Sequence, residues 1–175
     1  MVSAKDAQSS ILSDDAKQVY QAYSQLGTDE KLALLYYVYE KMGDTVTPAA
    51  PDAAEPELVN RLATGYFDLD DEAQLAIMRE IVEGKDSESS RAYGGLTANN
   101  QLLVWYIWAD AMGDRVVDMP GDYEASDAVS QALKQIENLE FESQISVLRE
   151  AASAMGYSEV KPIATQAETG KTPSL

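Results

Sequence analysis

Hydrophobic positions recur along this chain at helical spacing, and short polar residues mark where each helix starts. Ser13, followed by Asp14 and Asp15, reads as a helix start: the serine oxygen can accept an unpaired amide, and acids favour the positive helix end. Val19, Tyr20 and Tyr23 then form one stripe, to about Leu26, and Gly27 ends it. Thr28 is read as the cap of a second helix, to about Met42, with Gly43 as its C′ residue. The middle of that helix, Leu32–Tyr39, is apolar or aromatic on every side, the pattern of a helix inside a bundle.

Three prolines in Thr45–Pro56 break the pattern. Pro56 suits the first turn of a third helix, through about Phe67, with Leu58, Val59, Leu62 and Tyr66 inward. Asp70 or Asp71 starts a fourth, to about Glu83, stopped by Gly84. A short helix over Ser87–Tyr93 follows, then a central one capped by Thr97 and running to about Met112. Arg115–Asp122 is a connection turning at Pro120-Gly121, and two more helices are predicted at about Ser126–Glu137 and Glu140–Met155, with Gly156 beyond the last. No alternating strand pattern competes, so the reading is all-α, with about eight helices.

The two halves repeat. Leu32–Gly43 reads LALLYYVYEKMG and Leu102–Gly113 reads LLVWYIWADAMG, seventy positions later. At the same offset Leu69, Glu72, Gln74, Arg79 and Glu80 are matched by Leu139, Glu142, Gln144, Arg149 and Glu150. Two separated matches at one offset imply an internal duplication with a pseudo-twofold core, and two copies are too few for a solenoid. Residues 1–12 read as an N-terminal arm, 13–160 as the helical domain and 161–175 as a flexible polar tail.

Composition narrows the chemistry. A formal net charge of −17 argues against nucleic acid and anionic membrane surfaces, whose phosphates would be repelled. The chain has no cysteine and no histidine, which removes disulfides, thiolate nucleophiles, Cys/His zinc sites and the commonest general base. Asp68–Glu72 lacks the glycine and distant glutamate of a calcium loop. The polar start and the short apolar runs predict a cytoplasmic chain with no membrane span.

Carboxylate pairs such as Glu72 with Glu80, or Glu142 with Glu150, fit a solvated face better than an acid–base pair. Ser89, Ser90 and Ser143 lack an activating partner, so an enzyme is not expected. Arg79 and Arg149 occupy equivalent places in otherwise apolar helices. Each fits an ion pair with a nearby carboxylate, or a contact with a partner or a ligand end group. The stronger signal is aromatic: Tyr36, Tyr37 and Tyr39 in one repeat, Trp105, Tyr106 and Trp108 in the other. A plain core favours Leu, Ile and Val, whereas Tyr and Trp carry polar groups that need partners. Core packing and flat walls around a planar ligand are both open on this basis. Met42, Met78, Met112 and Met119 add soft surface suited to a long apolar ligand.

DEKLALLYYVYEKMGDTVTPAAP, NNQLLVWYIWADAMG and ESQISVLREAASAMGY resemble the carotenoid-binding N-terminal domain of the cyanobacterial orange carotenoid protein. The resemblance covers most of residues 13–160 and suggests a stand-alone helical carotenoid protein. It implies two interleaved four-helix bundles and a keto-carotenoid, canthaxanthin or echinenone, lying between the halves without a covalent bond. It also implies photoprotection, by quenching singlet oxygen or by draining excitation from the phycobilisome, near the thylakoid antenna. A separate homologue of the second domain is an implied partner and carotenoid donor.

Carried over by position, the wall around the pigment comprises Leu32, Tyr36, Tyr39, Met78, Leu102, Trp105, Tyr106, Ala109, Met112, Met119, Tyr123, Ile145 and Arg149. Trp105 and Tyr36 are the expected flanks of one ring. Arg149 matches an arginine that joins interdomain and antenna contacts in the two-domain relative. Tyr36 stands where that relative has tryptophan, and Gln101 where it has lysine. With the strong acidity, these departures favour singlet-oxygen quenching and pigment carriage over direct antenna quenching. A ligand-free helical interaction module is the remaining alternative.

Overall fold

The computed structural model describes residues 12–42, 59, 62 and 65–158. Among these residues the chain forms α1 (Asp14–Ser24), α2 (Thr28–Met42), α3 (Asp71–Glu83), α4 (Glu88–Gly94), α5 (Ala98–Asp110), α6 (Asp127–Glu137) and α7 (Phe141–Ser153), with a 3-10 turn at Tyr66–Asp68. The described residues contain no strand, only an isolated bridge between Met112 and Val116. The fold is all-α.

Short polar side chains set most helix starts. Ser13, Asp70, Ser87, Thr97 and Ser126 each accept the amide three residues on, at 2.8–3.3 Å. Each bond satisfies an amide that the helix itself leaves unpaired. Asp70→Ala is therefore expected to lower the unfolding free energy by about 1 kcal/mol and Tm by about 2–4 °C, read by circular dichroism melts. Thr28 departs from the expected cap. It is the first residue of α2, and its hydroxyl donates across to Glu83 Oε1 at 3.2 Å, so it is spent on tying α2 to α3.

The seventy-residue repeat is structural. α3 and α7 are seventy apart at both ends, and α2 and α5 start seventy apart. It extends to a buried hydrogen bond: Gln74 Nε2 donates to the Tyr66 carbonyl at 3.0 Å, and Gln144 Nε2 to the Ile136 carbonyl at 2.9 Å. The halves share helices: α1 packs on α6 and α7, α4 on α3, and α2 on α3, α5 and α6, while α5 packs on α7. Val38, Ile81, Tyr93 and Val129 lie at 0% exposure in one continuous core.

Other boundaries shift for local reasons. The third helix was expected through Phe67, but at Tyr66 the chain has tightened to a 3-10 turn, whose carbonyl accepts both the Leu69 amide and the Gln74 side chain. α5 stops at Asp110, two residues early, where a turn takes over: the Gly113 amide donates to the Val116 carbonyl, and Gly113 has φ +82°. Leu12, assigned to the arm, is buried in the core. The rest of the arm, Gly43, the proline-rich connection, most of the third helix including Leu58, and the tail lie outside the described residues.

Candidate functional site

The apolar faces of α2, α3 and α5 do not close completely on one another. They leave a cavity of about 220 Å³. α2 contributes Asp29, Leu32, Ala33, Tyr36 and Tyr39; α3 contributes Leu75, Met78 and Arg79; α5 contributes Trp105, Trp108 and Ala109. These spacings of three and four put each set on one helix face. Met112 and the connection from Val117 to Tyr123 supply the remaining wall.

A second cavity, of about 430 Å³, shares Tyr36, Tyr39, Ala109, Met112 and Asp118 with the first, and adds Glu40, Tyr106 and Asp110. The two form a groove that follows α2 from Asp29 to Glu40, eleven residues or about 16 Å of helix.

The indoles are held by their edges. Trp105 Nε1 donates to the Tyr93 hydroxyl at 3.0 Å, which in turn donates to the Ala152 carbonyl at 2.6 Å. Trp108 Nε1 donates to the Leu62 carbonyl at 2.9 Å, and its ring stacks on Tyr66 with centroids 4.3 Å apart. The two indoles meet edge to face at 5.2 Å. Their polar groups are thus satisfied within the protein, and what they add to the cavity wall is rigid aromatic surface. Tyr39 is fixed similarly, its hydroxyl donating to the Leu102 carbonyl at 3.4 Å; burial, then Tyr106, pushes that hydroxyl well above the usual phenol range.

The connection is positioned by one buried side chain. Gln74 Nε2 donates to the Arg115 carbonyl at 2.9 Å, and Gln74 Oε1 accepts the Val117 amide at 2.7 Å. This pins the segment that brings Val117, Asp118, Met119 and Pro120 to the cavity.

Of the residues expected around a ligand, Leu32, Tyr36, Tyr39, Met78, Trp105, Ala109, Met112, Met119 and Tyr123 line the first cavity, and Tyr106 lines the second. Leu102, Ile145 and Arg149 line neither: Leu102 and Ile145 are packed in the core, and Arg149 is half-buried. The Arg149 Nε has no hydrogen-bond partner among the described residues, whereas Arg79 makes the expected ion pair, its Nε and Nη2 donating to Asp29 at 2.8 and 3.1 Å. Leu35, Leu75, Trp108, Val117 and Pro120 join the wall without having been singled out as site residues. Trp108 carried the same aromatic signal as Trp105; the others carry none that separates wall from core.

The wall offers apolar and aromatic surface with a polar rim, and no group of three or more acids that could hold a metal is found among the described residues. No helix among them is long and apolar enough to cross a membrane.

The family described as "Orange carotenoid protein, N-terminal" matches residues 9–158. An orange carotenoid-binding domain-containing protein of Nostoc sp. PCC 7120 is 37% identical over 147 residues, 83% of this chain and 82% of that one. The orange carotenoid-binding protein of Synechocystis sp. is 31% identical over 79% of this chain but only 44% of its own length. Among solved structures, the Anabaena (Nostoc) sp. Red Carotenoid Protein binding canthaxanthin superposes with a TM-score of 0.73 at 31% identity, over 82% of this chain and 99% of that one. With the repeat, the all-helical fold and the aromatic-walled groove, these matches show that the chain belongs to the family of orange carotenoid protein N-terminal domains.

Proposed function

We propose that this chain binds a keto-carotenoid of the canthaxanthin or echinenone type without a covalent bond, and that it serves photoprotection by quenching singlet oxygen and carrying pigment. The observation that carries the reading is the groove between α2, α3 and α5, where two indoles spend their N–H groups inward and line the cavity with aromatic surface. A flat, rigid conjugated ligand gains most from such walls, because stacking needs no induced ordering of the indoles. Met78, Met112 and Met119 supply adaptable contacts along the same wall. Burial of a long polyene returns about 0.8 kcal/mol per CH₂-sized unit, enough over its length to retain it without a bond.

When bound, the polyene supplies the quenching chemistry, accepting excitation from oxygen and releasing it as heat. The chain's own part is to solubilise the pigment, hold it flat and exclude water. The strongly acidic composition of the chain supports carriage over direct antenna docking, and a separate C-terminal-domain homologue is the natural donor in this reading.

The experiment is expression in a canthaxanthin-producing bacterium, followed by absorption and emission spectra of the purified protein. The expected result is a red-shifted polyene band that co-elutes with the chain, with emission from Trp105 and Trp108 strongly quenched by the neighbouring pigment. Colourless, folded protein that also stays colourless when mixed with a pigment-loaded donor would overturn the reading.

A further inference from the structure

The groove has two rims of unlike chemistry. Near the end of α2 the second cavity is lined by the carboxylates of Glu40, Asp110 and Asp118 together with Tyr36 and Tyr106, and charged acceptors dominate. At the start of α2 the rim is Asp29, Arg79 and Tyr123. Arg79 uses its Nε–H and one Nη2–H on Asp29, which leaves three of the five guanidinium N–H donors for other acceptors. The Tyr123 hydroxyl is pushed up first by burial, then by Tyr37, Glu30 and Asp29, so it sits in the same electrostatic neighbourhood. This rim is the donor-rich one.

The ion pair has little to do as a clamp. The Arg79 and Asp29 side chains are 46% and 60% exposed, and pairs at such exposure contribute little to stability. The repeat does not demand it either. Seventy residues on, the equivalent pair is Asn99 and Arg149, without opposite charges, and neither lines the groove. Of the two equivalent pairs only the charged one lines the cavity, where it orients a planar donor at the edge of a mostly apolar wall.

We propose that Arg79, positioned by Asp29, binds the oxygen on an end ring of the carotenoid, so that this chain selects keto-ended polyenes over hydrocarbon ones of equal length. The inference rests on the carotenoid reading above and adds the residue that discriminates. A keto oxygen accepts but cannot donate, so the charged donors of Arg79 serve it better than the carboxylates of the other rim, where the Tyr36 and Tyr106 hydroxyls are the neutral donors lining the cavity. A hydrocarbon ring would instead leave the guanidinium donors partly dehydrated with nothing to bond, which penalises the wrong ligand.

The test loads unpigmented protein from an equimolar mixture of canthaxanthin and β-carotene, followed by extraction, pigment ratio and absorption spectra. Wild type should favour canthaxanthin by about tenfold, the worth of one charge-assisted hydrogen bond. Arg79→Met keeps an unbranched apolar stem but removes the donors. It should bring the ratio close to that supplied and shift the canthaxanthin band while leaving the β-carotene band in place; Arg79→Lys should recover part of the preference. Arg79→Gln provides a second neutral variant, and circular dichroism checks that each is folded. An unchanged ratio and band in both neutral variants would overturn the assignment of Arg79 while leaving carotenoid binding intact. So would an equal loss of both pigments, or a wild type without preference. A wild type that takes up neither pigment would overturn the carotenoid reading and this inference together.

Discussion

Gln74→Leu is expected to destabilise the fold by about 3–5 kcal/mol and to impair pigment loading as well. The Gln74 side chain, 1% exposed, serves three backbone groups: the carbonyls of Tyr66 and Arg115 and the amide of Val117. Leucine fills a similar volume but leaves those groups facing a side chain that cannot pair with them, at about 1–3 kcal/mol for each one that water does not reach. The internal repeat provides the control. Gln144 occupies the equivalent place and serves the Ile136 carbonyl, with only a weak further contact to Met42 sulfur. Gln144→Leu should therefore cost about 1–2 kcal/mol. Urea unfolding gives the two free energies. Comparable losses in the two variants would show that the connection is held by something other than Gln74. Only the Gln74 variant should load less pigment, because only Gln74 anchors the segment bearing Met119 and Pro120.

A second large effect is expected at Gly94. A β-carbon there would drive into the backbone of Tyr157, and no side-chain rotation relieves a clash with backbone. The neighbouring chain cannot simply retreat. The Gly156 amide donates to the Ile81 carbonyl at 2.8 Å, the Tyr157 amide donates to the Ser90 carbonyl at 3.0 Å, and Gly156 itself lies at φ +81°. Gly94→Ala should cost about 3 kcal/mol, at the upper end for overpacking, despite alanine's better helix propensity. Gly95→Ala is the matched control. Its β-carbon would meet the Arg91 and Ala92 carbonyls at 3.6 and 3.8 Å, ordinary contacts, so its unfolding midpoint should barely move. Equal midpoints for the two variants in urea would show that the Tyr157 segment yields at no cost.

Helix starts were legible because they depend on local chemistry: a short side-chain oxygen three residues before an unpaired amide works wherever the helix packs. The repeat was legible because the two copies still share residues such as Gln74 and Gln144, each holding the same buried bond. Thr28 was misread because a hydroxyl that can cap can also reach a carboxylate on another helix, and only the packing of α2 on α3 puts Glu83 within range. Trp105, Tyr36 and Met78 were legible at the groove through their unusual residue types. Leu35, Leu75 and Val117 were not, since an apolar side chain looks the same in sequence whether it faces a neighbour or a void. Leu102 and Ile145 show the reverse case, apolar positions expected at the ligand that pack in the core. The two arginines read alike, but position 29 is aspartate and position 99 asparagine, and that difference separates the ion-paired Arg79 from Arg149.

Because α1 packs on α6 and α7 while α4 packs on α3, the duplicated sequence is not a pair of independent lobes. A half-length ancestor with this sequence pattern would have exposed the faces that its twin now covers. A second copy related by a true twofold axis is the simplest cover for such faces. Joining the two copies in one polypeptide removes the concentration dependence of that pairing. Within one polypeptide the two copies can also differ, so that one half has Asp29 opposite Arg79 while the other has Asn99 in the equivalent place.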